Sequence, residues 1–152
     1  MNETVEIVVS DLPFVVRRTV RWTDCDPAGA VYTGRFTEYL LGAATHFLRS
    51  VRKTGVAVGD AEDIGLPCKH MSLTFSVTLV PDDVVDIQVR VASIRTHSFD
   101  IVVKALLPDG RVAFEGVFSP ICVLEASRQR TPIPTSLRLA LERHTISERV
   151  SK

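Results

Sequence analysis

One change of hydrophobic period divides this chain and restricts its possible folds more than any other feature. From Phe36 the apolar positions run Phe36, Tyr39, Leu40, Ala43, Ala44, Phe47, Leu48 and Val51. Spacing of three and four predicts a helix with one buried face, from Gly34 to about Arg52. After Met71 the period falls to two. Met71, Leu73, Phe75, Val77 and Leu79 alternate with Ser72, Thr74, Ser76 and Thr78, as in a strand with one polar face. Further strands are expected over Val85–Val91, Phe99–Leu107 and Val112 to about Leu124. Pro81-Asp82-Asp83, Arg95-Thr96-His97-Ser98 and Pro108-Asp109-Gly110 separate them as turns. Another strand, Phe14 to Trp22, precedes the helix. A strand, a long helix and four consecutive strands make an α+β chain, with one helix packed on an antiparallel sheet of about five strands. Met1 to Ser10 either adds an edge strand through Val5, Ile7 and Val9 or frays. Pro132-Ile133-Pro134 halts pairing, and residues 135–152 read as a short helix or charged tail.

A chain of 152 residues is expected to form one domain, 1–152, with its core in 14–134. Eighteen basic and eighteen acidic residues cancel, which argues against a nucleic acid or an anionic membrane as partner. Cys25, Cys68 and Cys122 form no C-x-x-C pair and leave an odd thiol, as in a reduced, cytoplasmic protein. The N-terminus has no basic-then-apolar leader, and no apolar run reaches membrane-span length. His46, His70, His97 and His144 lack metal-ligand spacing, so neither metal nor cofactor is expected. One helix covers only part of such a sheet, and the edge strands stay open. An oligomer is therefore expected.

Chemistry concentrates in Trp22-Thr23-Asp24-Cys25-Asp26-Pro27-Ala28-Gly29-Ala30-Val31-Tyr32. This stretch places carboxylates where a strand hands over to a helix N-terminus. The first amides of a helix have no intrahelical acceptor and carry partial positive charge, which suits a developing oxyanion. A carboxylate beside such a site is a minimal apparatus for acyl hydrolysis. An acyl carbonyl without strong amide resonance would need neither a metal nor a Ser–His pair here. Asp26 either attacks the carbonyl, giving a mixed anhydride that water cleaves, or acts as general base on that water. The structural alternative for Asp26 is an Asx-turn. Cys25 is a poor nucleophile, because its carboxylate neighbours raise a thiol's pKa. Glu38, one turn into the helix, reads as a solvated helix-face residue that also complements the helix dipole.

Asp24-Cys25-Asp26-Pro27-Ala28-Gly29, followed by Val31-Tyr32, resembles the D-x-D-x-x-G signature of the 4-hydroxybenzoyl-CoA thioesterase family. Weaker agreement at His97-Ser98-Phe99, Asp109-Gly110, Arg130 and Ile133-Pro134 extends the resemblance from about Phe14 to Pro134. It implies a hot-dog fold, a long antiparallel sheet wrapped around a central helix. It implies Asp26 as the catalytic carboxylate and backbone amides near Tyr32, Thr33 and Gly34 as the carbonyl-polarising groups. Asp24, Pro27 and Gly29 would shape the motif. Arg95, His97, Ser98, Arg128 and Arg130 are candidates to meet the phosphates of coenzyme A, which enters as part of the substrate. Where the hydroxybenzoyl enzymes carry an aspartate for the ring hydroxyl, this chain has Leu41. The expected acyl group is therefore an aryl or other apolar one. Sites of this fold lie between subunits, so a homodimer or homotetramer is implied. The rival expectations are an acyl-carrier-protein thioesterase and a non-catalytic acyl-CoA-binding module.

Overall fold

The structure, a computed structural model, describes residues 5–55 and 63–145. In chain order the elements are β1 (Glu6–Asp11), β2 (Phe14–Thr19), α1 (Thr33–Gly55), β3 (Ile64–Gly65), β4 (Cys68–Phe75) and β5 (Val84–Ile94). They continue with β6 (Phe99–Leu106), β7 (Val112–Pro120), β8 (Val123–Leu124) and α2 (Thr135–Glu142). Six strands form one antiparallel sheet in the order β1-β2-β5-β6-β7-β4, and β3 pairs with β8 in a small separate ladder.

Alternation decides which face of the sheet is covered. Val85, Ile87, Val89 and Val91 of β5 are buried, whereas Asp86, Gln88 and Arg90 point the other way. Cross-strand register brings Phe14 and Val16 of β2 and Ile101, Val103 and Ala105 of β6 onto the same apolar face. The stripe of α1 lies on it: Phe36, Tyr39, Leu40, Ala43, Ala44, Phe47 and Val51 are all buried. Each large side chain so covered contributes roughly 1.5–3 kcal/mol. Ala43 and Ala44 let the helix approach closely, and Gly116 does the same on the sheet. A Cβ at Gly116 would sit 2.8 Å from the Ser72 carbonyl oxygen and from Leu73 Cδ2, and 3.5 Å from Leu40 Cδ1. An antiparallel sheet wrapped on one long helix is the hot-dog architecture. No helix among the described residues is long and apolar enough to cross a membrane.

Four boundaries differ from the sequence expectation, each for a local reason. The sheet has six strands rather than about five, because Glu6–Asp11 pairs with β2 and Glu6 is tied to Arg18 (3.3 Å) and His46 (2.9 Å). β2 stops at Thr19 instead of Trp22. Val20 exchanges backbone hydrogen bonds with Asp82 and Asp83 (2.9 and 2.8 Å), and Trp22–Asp24 then closes a 3-10 turn. β4 spans Cys68–Phe75 rather than Met71–Leu79. The Ser76 and Val77 amides converge on the Ala113 carbonyl, and Leu79 turns away to accept the Val31 amide at 2.9 Å. The last strand also splits: β7 ends at Pro120, and Val123–Leu124 pairs with β3. Of the expected C-terminal helix or tail, Thr135–Glu142 is helical and buries Leu137, Ala140 and Leu141. Residues 146–152 of that expected tail lie outside the described residues.

Behind α2, His144 sets its ring edge-on to Phe14 and Phe47, at 6.4 and 5.0 Å between centroids. Burial lowers its pKa below the ordinary range, the Arg143 charge adds to this, and Asp11 opposes it.

Candidate active site

Between β2 and α1 the chain builds a small hairpin with Asp26 at its tip. Cys25 and Val31 bridge across its base, and the Asp26 amide donates to the Ala30 carbonyl at 2.9 Å. Asp26-Pro27-Ala28-Gly29 closes the turn with the Gly29 amide donating to the Asp26 carbonyl, 2.9 Å. Proline presets φ for the second turn position, and Gly29 holds φ +83°, which a side chain would strain. No atom lies within 4 Å of a Cβ built there, so the requirement belongs to the backbone alone. The Asx-turn alternative for Asp26 is realised: the Ala28 amide donates to Asp26 Oδ1 at 2.9 Å. That bond orients the carboxylate. Oδ2 has no hydrogen-bond partner among the described residues, and the residue is exposed. The turn thus presents one oxygen outward.

Asp24 has the opposite environment. It is fully buried, and its Oδ2 accepts from the Arg21 amide (3.1 Å), the Tyr39 hydroxyl (2.8 Å) and the Arg18 guanidinium (3.2 Å). Burial by itself would raise its pKa, but the Arg21, Tyr39 and Arg18 hydrogen bonds and the Arg18 charge outweigh burial and hold the carboxyl below its ordinary range. Burial, then the hydrogen bond to Asp24, pushes the Tyr39 hydroxyl well above its ordinary range. The Asp24 carbonyl accepts the Tyr32 amide at 2.9 Å. The Tyr32 N–H is therefore engaged within the chain. Thr33 and Gly34 open α1, and their amides have no intrahelical acceptor. The exposed Tyr32 ring lies over Gly34, where a Cβ would come within 2.8 Å of Tyr32 Cε1.

Other expected residues fall in less simple places. Cys25 donates to the Arg21 carbonyl at 3.5 Å, and burial, then the charges of Asp24 and Asp26, raises its thiol pKa. Glu38 is spent in a surface pair with Arg35, 2.8 Å away. Leu41 is 38% exposed, so one chain does not close a pocket around it. It shares the flank of α1 with Leu48, whereas Gly42 and His46 face Glu6 on the other flank. The Arg95 fork is filled by Asp100 (2.9 and 2.6 Å), and its Nε donates to Oγ of the buried Ser98 at 2.9 Å. Those Arg95 bonds, joined by Ser119 Oγ at 2.6 Å and opposed by burial, bring the Asp100 carboxyl down to about 2. The carbonyls of Thr96 and His97 accept the Ile133 and Cys122 amides, which sets the Arg95–Ser98 turn against the segment leading to Arg128 and Arg130. Arg128 and Arg130 are exposed, and Arg128 holds φ +62°.

The candidate residues do not converge within one chain. The Asp26 hairpin is anchored through Val20 and Val31 to the segment 79–83 at the Val84 end of β5. Arg95, His97 and Ser98 follow Ile94 at its other end. At about 3.3 Å per residue, the eleven residues of β5 separate them by roughly 35 Å. Sequence reasoning also missed Tyr39, Arg18 and Glu6. Tyr39 read as a stripe residue, and only its hydroxyl distinguishes it from the phenylalanines around it.

Comparison with solved structures gives the same fold at low identity. A 1,4-dihydroxy-2-naphthoyl-CoA thioesterase from Synechocystis superposes with a TM-score of 0.71 at 20% identity, covering 84% of this chain and 94% of that one. A gentisyl-coenzyme A thioesterase gives 0.69 at 24% identity, covering 84% and 98%. A Staphylococcus aureus protein determined in complex with CoA gives 0.76 at 12% identity, covering 95% and 87%. No curated protein matches the chain by sequence. The family match is broader, since residues 20–141 fit the thioesterase-like superfamily, a span that includes the Asp26 hairpin, all of α1 and the sheet from β4 to β7. The chain belongs to the thioesterase-like superfamily and is a thioester hydrolase.

Proposed function

We propose that the protein hydrolyses an acyl-CoA thioester to the free acid and coenzyme A, with Asp26 as the reacting carboxylate. The observation that carries this reading is the hairpin itself. It exposes Asp26 Oδ2 while the Ala28 amide fixes Oδ1, and its base runs straight into the N-terminus of α1. A thioester carbonyl placed over the Thr33 and Gly34 amides would have its developing negative charge stabilised there. Asp26 then attacks the carbonyl carbon, expelling the CoA thiolate and leaving a mixed anhydride for water to cleave. By the second route it removes a proton from water as that water attacks. Both routes end in acid plus thiol, and both need the charged carboxylate.

Leu41 and the apolar flank of α1 favour an aryl or other apolar acyl group. Two of the similar structures belong to thioesterases named for aromatic acyl-CoA substrates, which supports the same class. CoA recognition by the exposed Arg128 and Arg130, with His97, is part of the proposal, and the CoA complex of a structural neighbour supports it. These residues reach the chemistry through a second copy. Among the described residues β4 is an open edge, carrying Met71 (41% exposed) and Phe75 (45% exposed) on the helix side of the sheet. Antiparallel pairing of β4 with its counterpart would set the Cys68 end of one copy beside the Phe75 end of the other. That brings the Arg95–Ser98 turn and the Arg128–Arg130 loop of one protomer toward the Asp26 hairpin of the next.

The test is thiol release from benzoyl-, 4-hydroxybenzoyl-, phenylacetyl-, butyryl-, octanoyl- and palmitoyl-CoA, on the wild-type protein and Asp26→Asn. The expected result is turnover of aryl or medium apolar substrates that falls by about 100-fold or more in the variant. Unchanged turnover in Asp26→Asn overturns the role of Asp26. Release only from acyl-carrier protein, or CoA binding without release, moves the reading to the corresponding rival.

A further inference from the structure

Asp24 and Tyr39 are fifteen residues apart, and the fold makes them one device. All three donors that reach the Asp24 carboxylate within 3.2 Å converge on Oδ2, from three separate places: Arg18 on β2, the Arg21 amide in the 3-10 turn and the Tyr39 hydroxyl on α1. Oδ1 makes no hydrogen bond among the described residues, and the Arg21 guanidinium stands 3.7 Å from it. The orientation of this carboxylate therefore depends on the donors at a single oxygen. Arg18 is itself held, with its guanidinium 4.5 Å from the Tyr39 ring centroid and paired to Glu6, which also meets His46 at 2.9 Å. The backbone of Asp24 is engaged along with its side chain, because its carbonyl takes the Tyr32 amide immediately ahead of the helix. Asp24 thus fixes both ends of the segment whose tip is Asp26.

We propose that Tyr39 is a positioning residue for the Asp26 hairpin: its hydroxyl, donating to the buried Asp24 carboxylate, sets where Asp26 stands relative to the first amides of α1. Tyr39 touches no reacting atom. It lies fully under the helix, and its ring fills the core against Phe36 and Phe114. A phenylalanine would fill that core equally well, so the hydroxyl is the part that serves the site. Without it, Asp24 Oδ2 keeps two donors from the β2 side and none from α1. The hairpin is then fixed to the sheet but not to the helix whose N-terminus completes the site. Misplacement of a reacting group by even about an ångström is costly in rate. This inference rests on the reading of Asp26 as the reacting carboxylate.

Tyr39→Phe tests it, made in the wild-type chain and in Asp26→Asn, with steady-state turnover and amide hydrogen exchange measured on each protein. The expected result is a kcat about ten-fold lower with KM within about two-fold in the wild-type background. In Asp26→Asn the same substitution should leave the residual rate unchanged, because the group being positioned is already disabled. Exchange should rise at the Asp26, Gly29 and Tyr32 amides while β5, β6 and β7 keep their protection. An equal loss of rate in both backgrounds, or a rise in exchange across the whole sheet, reduces Tyr39 to a structural residue and overturns the proposal. Unchanged rate and exchange overturn it as well. A wild-type protein inactive on every thioester refutes the hydrolase assignment of Asp26. The exchange measurement then still decides whether the Tyr39 hydroxyl holds the hairpin.

Discussion

Asp24 and Asp26 are two residues apart and differ in almost every physical respect. One is fully buried with three donors on a single oxygen, and the other is exposed with one donor and one open oxygen. Their spacing was readable in the sequence because a turn with Pro27 and Gly29 is a local affair. The link to Tyr39 was not, since nothing in a helical stripe marks which aromatic hydroxyl will meet a buried carboxylate. The same limit applied to Arg95, which reads as a cation near a strand end until the hairpin register brings Asp100 beside it. Asp100 carries a testable consequence. Its carboxyl titrates at about 2 in the folded state against an ordinary 3.8, so the unfolded chain binds the proton more readily. Its contribution is complete above pH 4 and is lost as the pH falls from about 4 to about 2. Its side chain is 25% exposed, and the shift corresponds to about 2 kcal/mol. Asp100→Asn should lose stability of about that order at neutral pH and show a flatter decline in acid, measured by urea unfolding at pH 7, 4 and 3.

Among the elements, α1 was the most legible, because twenty-three residues of one period leave little choice. The strands were legible in number and less so in extent. Val77 and Leu79 continue the alternation of β4, yet Leu79 is drawn off to support the Asp26 hairpin through Val31, a tertiary demand that no period records. β1 was ambiguous because its six residues hold their place through Glu6 on Arg18 and His46 as much as through alternation. Beneath α1, Gly116 lies against the backbone of β4 with no room for a side chain. Gly116→Ala would drive a methyl to 2.8 Å from the backbone oxygen of Ser72, which cannot swing aside as a side chain can. A loss of about 1–3 kcal/mol is expected, read as a lower urea midpoint at unchanged slope. An unchanged midpoint would mean that β4 moves outward freely.

For the whole molecule, the sequence pointed to an oligomer through uncovered surface, and the chain does leave β4 open with Met71 and Phe75 exposed. Which copy fills which edge depends on geometry that appears only once the strand order is known, because sequence neighbours β4 and β5 lie at opposite sides of β6 and β7. If β4 pairs with itself, Met71→Glu together with Phe75→Glu places four like charges along a two-fold seam. The expected outcome in sedimentation velocity is a monomer with native circular dichroism. Turnover should also fall steeply, because each Asp26 would lose the end of its neighbour proposed to hold the coenzyme. An intact oligomer would assign assembly to another face.

The closed loop from Asp24 to Tyr32 has a consequence for how such a scaffold diversifies. A segment whose two ends are a single hydrogen bond apart returns the chain to the same point whatever happens between them. Pro27, Ala28 and Gly29 make no structural demand on the core, and the core makes none on them. Apart from the left-handed backbone at Gly29, the tip is therefore expected to accept substitution or lengthening while the sheet and helix stay in place. Substitution at the tip and substitution in the core are thus expected to act on different properties, except where Asp24 and Tyr39 join the two.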